Sequence, residues 1–286
     1  MRRFSLEKLL NKVMEENSRF NKLLPVVCEH YNFVTEDCNK NGTTLVTTLL
    51  QGSQNYNMDD EESDVDTKSL VVPNFRQLVL GAKRESKTLV MPNNEHADVK
   101  DVQEMMLCWR KQNVNFVEVL YTPYYHDNED YAWFMNTLRA MRDDVSHYSR
   151  WYTLMATCGH MTEKYEKLHR GGVARADVVA KFGYDPKQLC HQFRLREFME
   201  HYFADYEYKD CLKPNDAEYL RSVKRGVYNL VEAEKLAEKT NNWMLKFREH
   251  WMNKLGKPDR NEKVDKQLDE LTVALFREVM MNEVRY

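Results

Sequence analysis

The chain reads as an α+β protein, with a small mixed sheet in the first part followed by a helical remainder. Three observations predict this. Short Thr/Val/Leu-type runs separated by turn residues occupy 43–99, the pattern of strands. Beyond about residue 125, apolar residues recur at helical spacing almost throughout. Within 261–283, Val264, Leu268, Leu271, Leu275 and Val279 fall on one stripe. The expected division is a sheet-bearing unit at 1–125 and a helical unit at 126–286.

In chain order, residues 5–33 are expected to be helical, with Leu9, Leu10, Val13, Phe20, Leu23, Leu24 and Val27 at helix-like spacing. Asn39-Lys40-Asn41-Gly42 signals a turn. Thr43 to Leu50 favours a strand, and Asp66 to Val72 reads as a second, closed by Pro73 and Asn74. Thr88 to Met91 is a short third strand, and Pro92-Asn93-Asn94 turns into a fourth at His96 to Val99. From Lys100 to Lys111 the pattern becomes helical, with Val102, Met105, Met106 and Trp109 on one side. Further helices are expected over 129–142, 147–169, 186–203, 214–255 with a break, and 261–283. Gly171-Gly172, Lys213-Pro214 and Gly256-Lys257-Pro258 punctuate them.

Bulk properties bound the function. At 286 residues, 42% hydrophobic and 30% charged, the chain belongs with soluble globular proteins. No apolar run approaches the roughly 20 residues that span a bilayer. The start, Met1-Arg2-Arg3-Phe4, is basic, but Glu7, Lys8 and Lys12 interrupt any signal-peptide core. Six cysteines without a C-x-x-C pair point to reduced thiols and a cytoplasmic setting, not to a disulfide framework or zinc site. A net charge of −3 excludes bulk attraction to nucleic acid and leaves a local basic patch open. There is no Walker A motif, nucleophile elbow or H-E-x-x-H.

One constellation carries chemistry. Gly52-Ser53 leaves the first strand, and Asp64-Val65-Asp66 enters the second. A Gly-Ser turn offers backbone N–H groups and a hydroxyl to phosphate oxygens, although Ser53 equally suits the N-cap of Gln54-Asn55-Tyr56. Residues i and i+2 of a strand share a face, so Asp64 and Asp66 look into one cleft about 6.6 Å apart along the strand. Hard carboxylate oxygens suit Mg²⁺. Asp98 is the third carboxylate expected, because Ala97 and Val99 take the core side; Asp101, where strand becomes helix, is the fallback. An acidic run such as 59–66 is usually a solvated loop, but this one continues into a Val/Leu strand. An EF-hand is excluded by the absence of the loop glycine and terminal glutamate. Tyr56 is expected to pack, and Glu118 to pair with a buried base.

Far along the chain, Asp185 and Pro186 open a helix on which Lys187, His191 and Arg194 share one face. Three such groups could neutralise a triphosphate or a nucleic-acid backbone; the plainer alternative is a solvated face.

These segments together resemble a known family. Gln51-Gly52-Ser53-Gln54-Asn55-Tyr56, Glu62-Ser63-Asp64-Val65-Asp66-Thr67-Lys68 and Asn94-Glu95-His96-Ala97-Asp98-Val99-Lys100-Asp101 are similar to the signature of nucleotidyltransferases of the DNA polymerase β superfamily. Asn113-Val114-Asn115-Phe116-Val117-Glu118-Val119-Leu120 resembles a further segment, with Val114 where proline is common. Tyr184-Asp185-Pro186-Lys187, His191 and Arg194 resemble the family's basic helix. The nearer group includes proteins suspected of RNA repair and relatives carried by bacteria and bacteriophages. The likeness spans about 44–230, and Asn57 stands where members usually carry glycine.

The resemblance implies a polymerase-β-like core, followed by a helical domain, that transfers an NMP from an NTP to a hydroxyl, an RNA end among the acceptors, with release of pyrophosphate. It implies two Mg²⁺ ions, or Mn²⁺, held by Asp64, Asp66 and Asp98. Gly52 and Ser53 would hold the β/γ-phosphates, and Lys187, His191 and Arg194 would close the cleft. The alternatives are a non-catalytic nucleotide or RNA sensor of the same fold, and a helical interaction module with an incidental acidic loop. The acceptor, the preferred base and the oligomeric state are not encoded in these motifs.

Overall fold

A computed structural model describes residues 2–60, 63–170 and 175–285, with side chains at 14 and 16–283 within those spans. Glu61 and Glu62 of the acidic run, Gly171 and Gly172, and the side chains of Leu9, Leu10 and Val13 lie outside the described residues. Helix α1 (Arg2–Asn41) is followed by β1 (Thr44–Gln51), a 3₁₀ turn at Ser53–Tyr56, and β2 (Asp66–Val72). Then come α2 (Phe75–Val79), β3 (Ser86–Val90), β4 (His96–Asp101), α3 (Val102–Arg110), α4 (Val114–Val117) and β5 (Tyr125–Asp127). The remainder is helical: α5 (Ala132–Ala140), α6 (Arg142–Ser146), α7 (Arg150–Glu166), α8 (Ala176–Phe182) and α9 (Pro186–Tyr202). It closes with α10 (Tyr208–Cys211), α11 (Ala217–Lys224), α12 (Leu230–Leu255) and α13 (Glu262–Arg285). The architecture is α+β, with one small mixed sheet and many helices.

The five strands lie in the order β3-β4-β2-β1-β5. Only the central β2–β4 pair is parallel; the other three pairs are antiparallel. The four expected strands appear within two residues of their expected bounds. The fifth was not expected: Tyr125-His126-Asp127 has no apolar alternation, and it is recruited by pairing with Thr47 to Leu49. Helix α1 runs to Asn41 instead of 33, with Pro25 inside it, because its second half is held by packing. Val34 and Cys38 bury against Leu45, Val71, Ala97 and Val99, and Leu23 and Val27 against Leu50 and Val65.

The opposite sheet face meets the helices. One cluster of buried side chains runs from Val46, Leu49 and Leu70 through Met105 and Trp109 of α3 to Leu268 and Leu275 of α13. Trp109 is fully buried, and its indole N–H is satisfied by the Phe116 carbonyl at 2.9 Å. Helix α13 returns to the first half of the chain. Arg110 pairs with Asp265 and Asp269, the Trp133 indole N–H donates to Glu278, and the Phe75 amide donates to Glu283. Among the described residues no helix is long and apolar enough to cross a membrane.

Candidate functional site

Sheet register decides which acidic residues meet. Gln51 is opposite Asp66 across the β1–β2 pair, Lys68 is beside Asp98 across the β2–β4 pair, and Thr88 is opposite Asp98 across the β3–β4 pair. In-register neighbours project from the same face, so Gln51, Asp66, Lys68, Asp98 and Thr88 form one polar patch at one end of the sheet. Asp101 falls on the other face. It is buried and caps α3 by accepting the Gln103 N–H at 2.6 Å.

The strand carrying the aspartates is braced from behind. Fully buried His30 of α1 bonds the Thr67 hydroxyl through Nδ1 at 2.8 Å and the Glu95 carboxylate through Nε2 at 2.9 Å. The other Glu95 oxygen accepts the Val65 N–H at 3.4 Å. The backbone between Asp64 and Asp66 is therefore fixed by groups that the motif itself does not contain.

The Gly-Ser turn has the geometry that requires glycine. Gly52 has φ +85° and ψ −157° with nothing near its missing Cβ, so backbone conformation, not space, selects it. Gly52 also occupies the cap position of the 3₁₀ turn, with Ser53 as its first residue. Asn57, where the resemblance expects glycine, adopts φ +55° and ψ 33°. Asparagine is among the few residues that tolerate this left-handed region, so the loop geometry survives the change.

Glu118 ties that loop to the basic helix. Its carboxylate accepts the Gly52 N–H at 3.5 Å and the Tyr56 hydroxyl, and it lies 3.7 Å from Arg194 Nη1. The Arg194 guanidinium also sits over the Tyr56 ring, 4.5 Å from its centroid. Burial pushes Glu118 up to about 7, with the Arg194 charge and the Gly52 amide opposing. Its partner is thus a base, as expected, and Tyr56 is a buried packing residue.

The carboxylates differ sharply. Asp64 is exposed, while Asp66 Oδ1 is buried and has no hydrogen-bond partner. Burial raises Asp66 above the usual carboxylate range; His96, 3.4 Å away, and Lys187 pull it back, and Asp64 pushes it further up. Asp98 is fully engaged. Its Oδ1 accepts the Thr88 hydroxyl at 2.6 Å, and its Oδ2 accepts Gln51 Nε2 at 3.1 Å and Lys68 Nζ at 3.4 Å. Burial alone would raise Asp98, but the Thr88 bond and the Lys68 charge outweigh it and hold it below the usual range. Among the described residues no three His, Cys, Asp or Glu side chains form a group that could hold a metal ion. Exposed Asp64 and the Asp66 oxygen, which makes no hydrogen bond although His96 lies 3.4 Å away, are hard donors of the kind that would suit a divalent cation. Asp98, the third carboxylate expected from the sequence, lies on the same sheet face as Asp66 and is bonded by Thr88, Gln51 and Lys68.

Across from this patch, Asp185 caps α9 by accepting the Lys187 N–H at 3.0 Å, and Arg175 clamps the same carboxylate at 2.9 Å. Lys187, His191 and Arg194 follow along α9. Burial drives His191 well below its ordinary value, reinforced by Arg194, Lys187, Lys164 and Lys224. Lys164 of α7 and Lys224 of α11 were not anticipated; they come from separate helices, so no spacing in the sequence announces them. Lys224 bonds Ser63 at 2.9 Å and Asp60 at 3.0 Å, and Arg221 bonds the Asn57 carbonyl at 2.6 Å, tying α11 to the loop before Asp64. Arg194 Nε is buried without a hydrogen-bond partner.

No protein-family profile matches the chain, and no curated protein matches it. Among solved structures, a nucleotidyltransferase-like protein from Exiguobacterium sibiricum 255-15 is similar at 11% identity over 71% of this chain and 72% of that one, with a TM-score of 0.27.

Proposed function

We propose that the chain is a nucleotidyltransferase with a polymerase-β-like core. It would transfer an NMP group from an NTP to a hydroxyl acceptor. The acceptor oxygen bonds to the α-phosphorus, the bond to the bridging oxygen breaks, pyrophosphate leaves with the electron pair, and the hydroxyl proton passes to solvent. The observation that supports this most is the opposition of two unsatisfied sides. Asp66 presents a carboxylate oxygen that makes no hydrogen bond and has the His96 ring 3.4 Å away, and Lys187 of the basic helix is close enough to act on its charge. A metal–triphosphate complex has the charges to fill that gap.

In this reading Gly52 and Ser53 receive the β/γ-phosphates, and Lys187, His191 and Arg194 close the cleft with Lys164. Arg194 Nε is free to donate to phosphate. Asp64 and Asp66 would hold Mg²⁺ or Mn²⁺, which would supply charge neutralisation of the triphosphate and of the leaving pyrophosphate. A second ion would require Asp98 to leave Lys68.

Incubation with each labelled NTP, Mg²⁺ and pooled RNA tests the reading, followed by protein and small-molecule acceptors. Label transfer that disappears in Asp64→Asn and Asp66→Asn is expected. The occupied state of Asp98 favours one rival, a non-catalytic nucleotide sensor. If NTPs raise the melting temperature yet no acceptor is ever labelled, that rival replaces the enzyme.

A further inference from the structure

We propose that this site takes a single divalent cation with its nucleotide, and that the Lys68 ammonium occupies the second cationic position, beside Asp98. The inference rests on the nucleotide-binding reading above and adds the ion count and the residue that sets it.

Lys68 is only 3% exposed, in the middle of the sheet's central strand. Its ammonium sits 4.4 Å from the centroid of the Phe116 ring and 3.4 Å from Asp98 Oδ2. A buried ammonium is stable only while its charge is paired, and Asp98 is its carboxylate partner. The Asp98 oxygens are committed in turn. Thr88 takes one, while Gln51 and Lys68 share the other, leaving little of a carboxylate's accepting capacity for an ion. A dication bound at Asp98 would displace the buried Lys68 ammonium from its counter-charge and stand next to it, and like charges at that distance repel. The register makes this arrangement intrinsic to the sheet, since Lys68 and Asp98 are direct neighbours on parallel strands. Among the described residues Asp64 and Asp66 hold no such buried ammonium: Asp64 faces solvent, and Asp66 Oδ1 has the partly exposed His96 ring 3.4 Å away without a hydrogen bond. The two halves of the acidic patch are therefore unequal. One half is open to an ion, and the other holds a cation of the chain's own.

Ion counting tests this without reference to turnover. The protein is titrated with Mn²⁺ in the presence of α,β-methylene analogues of the four NTPs. Bound ions are counted by equilibrium dialysis, and their magnetic coupling is read by electron paramagnetic resonance. The wild-type chain is expected to hold one Mn²⁺ with an uncoupled spectrum, Asp98→Asn to hold one as well, and Lys68→Met to hold two, a twofold rise with a coupled spectrum. Two ions in the wild type, falling to one in Asp98→Asn, would overturn the inference and leave the nucleotide reading standing. No ion in any chain with any analogue overturns both. If Lys68→Met does not fold, the wild type and Asp98→Asn still decide the matter.

Discussion

The Gly52 amide donates to the Glu118 carboxylate across 66 residues of chain, and the same carboxylate faces Arg194. The Gly-Ser loop and the basic helix thus share one buried acid.

Glu118 gives this link a pH dependence. Its folded value of about 7 lies above the ordinary 4.5, so its contribution favours the folded state fully below about 4.5 and is lost as pH rises through 7. The loss is on the order of 3 kcal/mol. Urea unfolding from pH 4.5 to 8 should show this decline in the wild type and a flatter profile in Glu118→Gln.

The Gly52 conformation is one that side-chain-bearing residues avoid, so Gly52→Ala should cost about 1–3 kcal/mol in chemical denaturation despite the open space at its Cβ position. Asn57→Gly should stay within about 1 kcal/mol of wild type, whereas Asn57→Val should cost more, because a β-branched residue resists the left-handed region.

His30→Ala removes a fully buried group with bonds to Thr67 and Glu95. It should destabilise the chain by about 2–4 kcal/mol, combining a cavity with stranded polar partners. Nucleotide-induced thermal shifts in this variant should also weaken, since the strand between Asp64 and Asp66 loses its brace.

Burial raises the partly buried Asp66 carboxylate, whose Oδ1 makes no hydrogen bond and faces His96 at 3.4 Å; if the site takes a ligand, this favours binding at the expense of the empty fold. Differential scanning fluorimetry of Asp66→Asn should give an unchanged or higher melting temperature without ligand, and no further rise with Mg²⁺ and NTP. A lower ligand-free melting temperature would mean that the carboxylate is structural.

Much of this was legible in the sequence where local chemistry dictates structure. The β1 and β2 strands, the glycine turn and the capped start of α9 follow from alternation, φ preference and Asp185-Pro186. Alternation separates Asp98 from Asp101, and the register puts Asp98 on the face of Asp66 while Asp101 caps α3. What could not be read is what arises between distant segments. Tyr125 to Asp127 become a strand only because β1 offers an edge. Lys164 and Lys224 join Lys187 only because three helices converge. Lys68 pairs with Asp98 only because the parallel register sets the two side by side.

The return of α13 to the sheet half has a consequence for how the chain folds. The Phe75 amide finds its acceptor 208 residues later, on Glu283, and Arg110 finds its carboxylates on the same helix. Contacts of such long sequence separation form late and slow folding. The edge of the sheet unit at Phe75 and the end of α3 at Arg110 are therefore closed by one distant helix, so loosening α13 would expose both at once.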